Sequence, residues 1–155
     1  MKRILTIIVI TAALAGLSAC GEKAPPQPEE IMGRKLLTAL RGLSHAYEKR
    51  DLNAFMALTL PAAEERGSWE SGIKEVFTKY DAVRFSFQNT KMLVTVPDRG
   101  NIRVAVNWDA EWSGGGALVK DGGRATLVFE PKSMLLAGIE GKNPFIPAVT
   151  PMKQQ

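Results

Sequence analysis

The hydrophobic pattern of this chain changes its period once. Between residues 31 and 80, apolar residues recur every three or four positions, as they do on one face of a helix. From Ala82 onward, apolar and polar residues alternate, as they do in a strand with one buried face. Because the helical part precedes the strand part completely, the sequence predicts an α+β fold in which N-terminal helices pack on one face of a four-stranded antiparallel sheet.

Three amphipathic helices are predicted in the first part. The first covers residues 31–50, and its buried stripe consists of Leu36, Leu40, Leu43 and Tyr47. The second covers residues 52–60, where Asp51 can cap its start and Pro61 ends it. Residues 62–67 are predicted to be a connection. The third helix covers about 68–80, with an apolar stripe made by Trp69, Ile73, Val76, Phe77 and Tyr80.

Four strands are predicted in the second part. The first covers residues 82–96 and is followed by a turn at residues 97–100, which read Pro-Asp-Arg-Gly. The second covers residues 102–112 and has the most regular alternation in the chain. The glycines of residues 114–123 predict a flexible connection, and the last two strands are placed at residues 124–130 and 134–140.

The N-terminus has the layout of an export signal. Lys2 and Arg3 precede an apolar run over residues 4–17, which is shorter than the roughly 20 residues that a permanent membrane-spanning helix needs. The run ends in Leu17-Ser18-Ala19-Cys20, which resembles the lipobox of bacterial lipoproteins. This resemblance implies cleavage of residues 1–19 and attachment of acyl chains at Cys20, which would anchor the mature chain in a membrane.

Cys20 is the single cysteine of the chain, so no intrachain disulfide can form. A buried structural cysteine is the alternative reading, and its position directly after an export signal favours lipidation. Gly21 stands where an aspartate would retain such a protein in the inner membrane, and the resemblance therefore implies the outer membrane, facing the periplasm.

A proline-rich segment follows the cysteine. Residues 20–30 contain three prolines and no apolar pattern, which predicts a semi-extended tether between the membrane and a domain at residues 31–147. Residues 148–155 are predicted to be a flexible tail. Removing Lys2 and Arg3 lowers the formal charge from +4 to +2. Such a small positive charge, spread over the domain, gives no indication of nucleic-acid binding.

The end of the domain carries a second resemblance. Gly141, Asn143, Pro144 and Phe145 match the closing motif of exported members of the nuclear transport factor 2-like superfamily, although Lys142 replaces the usual acid. The resemblance covers about residues 31–147 and implies a cone, in which helices close over the concave face of the sheet. Members of this superfamily use the cone for catalysis or for binding, and many pair through the outer sheet face. A cystatin-like arrangement, with one helix on four strands, is the alternative fold.

Few residues offer catalytic chemistry. His45 is the single histidine and lies opposite the buried stripe of the first helix, so we expect it to face solvent. Asp109 and Glu111 share a strand face opposite Trp108 and Trp112, and we expect both acids to point outward. The sequence therefore predicts no catalytic residue, no cofactor and no metal site.

Aromatic residues are the remaining candidates for a site. Packing in the hydrophobic core is one explanation for these residues, including Tyr47, which lies on the buried stripe of the first helix. The sharper hypothesis is an apolar pocket for a small lipid-like or aromatic ligand, lined by Tyr47, Trp69, Phe85, Phe87, Trp108 and Trp112.

The predicted function is a lipid-anchored, non-enzymatic binding or accessory module of the bacterial cell envelope. Its partner would be a small hydrophobic ligand or an envelope protein. A second copy of the chain, paired through the outer sheet face, is a further possible partner. The alternative is a small pocket enzyme of the isomerase, dehydratase or hydrolase type. A buried acid or histidine beside Tyr47 would favour the enzyme, and an entirely apolar lining would favour binding.

Overall fold

A computed structural model of the chain describes residues 28–95 and 100–148. Three helices precede four strands, and the strands form one antiparallel sheet in the order β1-β2-β3-β4, which confirms the predicted fold class. The predicted signal, Cys20 and most of the predicted tether and tail lie outside the described residues. The elements are α1 (Pro28–Glu48), α2 (Leu52–Ala57), α3 (Ala63–Lys79), β1 (Ala82–Thr95), β2 (Ile102–Gly114), β3 (Ala117–Phe129) and β4 (Leu136–Gly141).

The second helix is shorter than predicted because its last residues pair with the sheet. Asp51 caps α2 as expected, since its Oδ1 accepts the backbone N–H of Ala54 at 2.9 Å. The chain then leaves the helix after Ala57. Leu136 donates its N–H to the carbonyl of Leu58 at 3.0 Å and accepts the N–H of Leu60 at 2.7 Å. These two bonds attach the α2–α3 connection to the start of β4.

The third helix begins at Ala63, so the prediction that residues 62–67 form a connection is wrong. Glu64 and Glu65 lie in its first turn, where their charges interact favourably with the helix dipole. Gly67, the last residue of the predicted connection, lies inside the helix.

Arg50 joins the end of α1 to the end of α3. Its backbone adopts a positive φ of 55°, which turns the chain between α1 and α2. Its guanidinium donates to the carbonyl of Asp81 at 2.8 Å and also to the carbonyl of Phe77. The second carbonyl belongs to the last turn of α3, so Arg50 satisfies an acceptor that lacks a partner within the helix.

The third strand begins at Ala117, so the predicted flexible connection over residues 114–123 is wrong. Gly115 and Gly116, with positive φ values, form the tight turn of a β2–β3 hairpin. Gly122 lies within β3 opposite Asp109, where a Cβ would come within 2.8 Å of the Asp109 Oδ1. This glycine therefore accommodates a close neighbour across the sheet and does not mark a loop.

The last strand begins at Leu136, two residues later than predicted. Met134 adopts a positive φ of 56° in the preceding turn. The Glu130 carboxylate holds this turn by accepting the backbone N–H groups of Lys132 and Ser133. Because these side-chain hydrogen bonds stabilise the turn, the strand begins only after it.

The hydrophobic core lies between the helices and the concave face of the sheet. The predicted stripe of α1 is buried, and the inward residues of β2 alternate with outward ones along the whole strand. All buried core side chains of the described residues lie between Leu36 and Phe145, so this stretch holds the core of the domain. Phe145, which follows the last strand, is also buried in this core.

The close approach of β2 to the α3–β1 connection generates a first prediction. A Cβ on Gly114 would lie 2.7 Å from the backbone nitrogen of Asp81 and 2.9 Å from the Cα of Tyr80. We expect Gly114→Ala to lower the free energy of unfolding by about 1–3 kcal/mol, because backbone atoms must move.

Urea unfolding of a chain covering residues 21–155 measures this effect. Gly67→Ala is the control, because a Cβ there meets nothing within 4 Å and alanine stabilises a helix by up to about 1 kcal/mol relative to glycine. Equal stability of Gly114→Ala and the unchanged protein would show that the connection adjusts without cost.

Candidate functional site

The Tyr47 hydroxyl lies at the centre of the domain. It accepts a hydrogen bond from the indole Nε1 of Trp112 at 2.8 Å and donates one to the backbone carbonyl of Phe145. The three residues belong to α1, to β2 and to the segment after β4. A single buried hydroxyl therefore connects the helical layer, the sheet and the C-terminal part of the domain.

The proton of this hydroxyl is firmly held. Burial raises the pKa of Tyr47 well above its usual value of 10, and the hydrogen bond from Trp112 lowers it by a smaller amount. Tyr47 is therefore neutral throughout the physiological pH range. Since its proton is donated to the carbonyl of Phe145, it has no second proton to offer to a ligand.

The Phe145 ring fills the space beside Tyr47. Its centroid lies 5.1 Å from the ring of Tyr47, 4.9 Å from Phe55 and 5.2 Å from Phe85. Phe85 in turn contacts Phe87 edge-to-face at 4.8 Å. These offset and edge-to-face contacts are the arrangements that aromatic rings prefer, so the cone is filled by the protein's own side chains.

The six predicted pocket residues do not share one cavity. Tyr47, Phe85, Phe87, Trp108 and Trp112 are brought together in the core, and all are buried. Trp69 lies apart on α3, where it is partly exposed and borders a separate cavity.

Four cavities are described along the surface. Phe85 and Phe87 border a groove beside α1, and none of the four is lined by Tyr47, Trp108 or Trp112. The core residues are therefore packed against one another at the positions where the hypothesis placed an open pocket.

Asp109 and Glu111 lie on the outer face of the sheet, as predicted. Glu111 forms an ion pair with Lys120 at 2.9 Å and a longer one with Arg84 at 3.7 Å. The hydrogen bond from Lys120 lowers the pKa of Glu111 below its usual value of 4.5. Asp109 accepts a hydrogen bond from Gln88 on the neighbouring strand. Both acids thus form cross-strand contacts away from the core.

Lys142 lies beside the edge of the aromatic core. Its ammonium forms an ion pair with Asp121 and lies 5.5 Å from the ring centroid of Trp108. Burial raises the pKa of Asp121, but hydrogen bonds from Lys142 and the N–H of Gly122 outweigh it and bring the pKa below 3.8. The basic residue that departs from the closing motif therefore has an acidic partner on β3.

The Trp108 indole has an unusual environment. Its Nε1 is buried and has no hydrogen-bond partner among the described residues. Gly123 lies opposite Trp108, where a Cβ would be in ordinary contact with two indole carbons at 3.9 Å but would come within 3.3 Å of the Lys142 Cδ. The sequence indicated the buried tryptophan but not this packing arrangement.

His45 is exposed on α1, as its position opposite the buried stripe predicted. It borders the groove between α1 and β1, together with Arg41 and Glu48. The Glu48 carboxylate accepts the N–H of Phe85 at 3.0 Å. Because β1 is an edge strand, this bond satisfies a backbone donor that no neighbouring strand could reach. Sequence periodicity did not identify this role of Glu48, since an exposed acid at a helix end has many uses.

Among residues 28–95 and 100–148, no group of three or more histidine, cysteine or acidic side chains could hold a metal ion. Within the same ranges, no helix is both long and apolar enough to span a membrane.

Comparison with known proteins identifies the fold. No protein-family profile matches the sequence, and no curated protein is a significant relative. Among solved structures, a candidate dehydratase from the NTF2-like family of Streptomyces avermitilis has a TM-score of 0.59 and 16% identity, and the match covers 73% of this chain and 95% of that chain. The domain therefore has a nuclear transport factor 2-like fold, and its three helices differ from the one helix of the cystatin-like alternative.

Two other solved structures are similar. The BvnE pinacolase from Penicillium brevicompactum has a TM-score of 0.55 and 12% identity, over 70% of this chain and 82% of that chain. A candidate aromatic ring hydroxylase from Novosphingobium aromaticivorans has a TM-score of 0.54 and 12% identity, over 76% and 96%. At these identities the similarity concerns the fold, which is compatible with ligand binding and with small enzymes.

The buried hydroxyl generates a second prediction. Tyr47→Phe leaves the Nε1 of Trp112 and the carbonyl of Phe145 without a partner inside the domain. We expect the free energy of unfolding to fall by about 2–4 kcal/mol, because each unsatisfied buried group costs about 1–3 kcal/mol.

Urea unfolding compares this variant with Tyr80→Phe, which removes a hydroxyl from another buried tyrosine outside this chain of hydrogen bonds. A smaller loss in Tyr47→Phe than in Tyr80→Phe would contradict a structural role for the central hydroxyl.

Proposed function

We propose that this protein is a lipid-anchored component of the bacterial cell envelope, and that its domain is a non-enzymatic binding or accessory module. Its partner would be a small hydrophobic ligand or another envelope protein. Acyl chains on Cys20 would hold the mature chain in the outer membrane, with the domain facing the periplasm.

The composition of the core carries the non-enzymatic part of the proposal. Within the described residues, the buried side chains are aliphatic and aromatic, and the only other buried side chain with a polar group is that of Thr59. Its hydroxyl donates to the carbonyl of Met56 at 2.9 Å, and the hydroxyl of Tyr47 is equally engaged. General acid–base catalysis requires an ionisable group near the reacting atoms. A core without acids or histidines supports binding.

The alternative is a small pocket enzyme of the isomerase, dehydratase or hydrolase type. Two proteins of similar fold are named as enzymes, a pinacolase and a candidate dehydratase, and this similarity of fold favours the alternative. Tyr47 would then be the central candidate among the buried hydroxyl groups of the described residues, which also include those of Tyr80 and Thr59. Its high pKa and its engaged proton argue against this role.

The anchor rests on the lipobox-like sequence and on the place where the domain begins. Leu17-Ser18-Ala19-Cys20 follows an apolar run, and α1 starts at Pro28. In an extended conformation of about 3.1 Å per residue, the eight residues from Cys20 to Gln27 would reach roughly 25 Å. This length is sufficient to separate the domain from the lipid surface.

Membrane partitioning tests the anchor. In a bacterial host, we expect the unchanged protein in the detergent-soluble membrane fraction, with acyl chains on its N-terminal peptide by mass spectrometry. Cys20→Ala is expected to lose both the acyl mass and the cleavage before residue 20. Ser18→Ala is the control, since it keeps a small residue before the cysteine. An acylated Cys20→Ala protein, or an unmodified native one, would refute the anchor.

Native mass spectrometry tests the binding role. Residues 21–155 are exported to the periplasm with a cleavable signal that does not lead to lipidation, and then purified without detergent. We expect either a retained neutral small molecule or a complex with one envelope protein in defined stoichiometry. A bound compound whose mass changes during incubation would favour the enzyme over the binding module.

A further inference from the structure

A small cavity lies at the edge of the aromatic core. It has a volume of about 290 Å³, is open to the surface, and is bordered by α2, α3, β4 and the segment after β4. Phe55 and Phe145, which meet edge-to-face at 4.9 Å, contribute to its wall. We call it the Trp69 cavity, and it is lined by Phe55, Ser68, Trp69, Ile73, Ile139, Asn143, Phe145 and Ile146.

The lining of the Trp69 cavity carries no charge. Six of its eight side chains are apolar, and the other two are a serine and an asparagine. The other three described cavities include charged side chains, and the one that adjoins the Trp69 cavity and shares Trp69 and Asn143 with it includes Glu65. Because a charged ligand would lose hydration here without gaining an ionic partner, this lining selects neutral molecules.

The two polar side chains of the lining differ in the hydrogen-bonding group that remains for a ligand, because one has an acceptor and the other a donor. The Ser68 hydroxyl donates to the carbonyl of Glu65 at 2.7 Å, so its oxygen lone pairs remain to accept. The Asn143 Oδ1 accepts the N–H of Phe145 at 2.9 Å, so its amide NH₂ is the donor that faces other partners. A few polar groups within an otherwise apolar lining are typical of ligand sites.

Ile146 forms an adjustable outer wall. Its side chain is 38% exposed and lies against α3 at Gly72, where a Cβ would come within 2.9 Å of the Ile146 Cδ1. Because residue 72 is a glycine, the Ile146 side chain can pack directly against the helix. An exposed aliphatic side chain can change rotamer at little cost, so the opening can widen without backbone movement.

We propose that the Trp69 cavity binds a small, neutral, apolar molecule that contains an aromatic ring. The rings of Trp69, Phe55 and Phe145 supply the aromatic contacts, and the cavity volume of about 290 Å³ is just below the range of ligand sites, roughly 300–1,000 Å³, which suits a small molecule. This inference rests on the proposed binding role and assigns it a site and a ligand class.

A fluorescent probe tests the site. N-phenyl-1-naphthylamine is neutral, aromatic and brighter in apolar surroundings, and it is titrated into residues 21–155, which include the hydrophobic core. Ser68→Phe places a ring in the cavity wall. Ser71→Phe is the matched control, because Ser71 is also exposed on α3, makes the same hydroxyl-to-carbonyl bond within the helix and does not line the cavity.

We expect saturable binding of one probe molecule to the unchanged protein. Ser68→Phe should raise the dissociation constant at least tenfold, and Ser71→Phe should change it by less than about twofold, since only the first occupies the cavity. Thermal unfolding of each variant checks that the fold is retained. If either variant fails to fold, a second pair replaces it. Ile139→Ala enlarges the cavity, and Ile102→Ala truncates a core side chain away from the cavity. Only Ile139→Ala should change probe binding.

Three outcomes would overturn the site. Equal binding by Ser68→Phe and the unchanged protein would place the probe elsewhere, and equal losses in both serine variants would indicate a general effect on α3. No probe binding to the unchanged protein would exclude this ligand class from the cavity. In that case a protein partner found by native mass spectrometry, or lipid on Cys20, would still support the proposed function.

Discussion

The buried hydrogen bonds from Trp112 to Tyr47 and from Tyr47 to the carbonyl of Phe145 hold three separate parts of the chain together. Each polar group would be costly to bury alone, and together they are satisfied. The position of Tyr47 fixes where α1 crosses the sheet. The carbonyl of Phe145 then fixes the C-terminal segment, which brings the Phe145 ring between Phe55 and Phe85.

This packing determines where the domain can bind another molecule. In a cone filled by aromatic rings, a ligand in the centre must displace side chains that already make favourable contacts. The proposed ligand site therefore lies at the periphery, where Trp69 and Ile146 line a cavity beside the core. Among the described residues, the buried side chains of this core include no acid, histidine or lysine, and its ionisable groups are the tyrosines Tyr47 and Tyr80.

The surface contacts stabilise the sheet in a different way. Glu48 satisfies a free donor on the edge strand β1, and Arg50 does the same for a free acceptor at the end of α3. On the outer face, Glu111 and Asp109 contact side chains of neighbouring strands. Lys142 and Asp121 hold the start of the C-terminal segment against β3. Exposed ion pairs contribute little individually, so their main effect is to fix local positions.

The sequence by itself determined the order of elements, the fold class and the buried faces, because hydrophobic periodicity reports which side of each element meets the core. It placed Tyr47, Trp108 and Trp112 in the core and His45 and Asp109 on the surface. Its glycines predicted a flexible connection at residues 114–123, but Gly122 lies inside a strand. A glycine that permits a close contact looks the same in sequence as one that ends an element. Only the tertiary structure decided that Phe145 fills the cone and that Trp69 borders a separate cavity, because both depend on contacts between residues far apart in the chain.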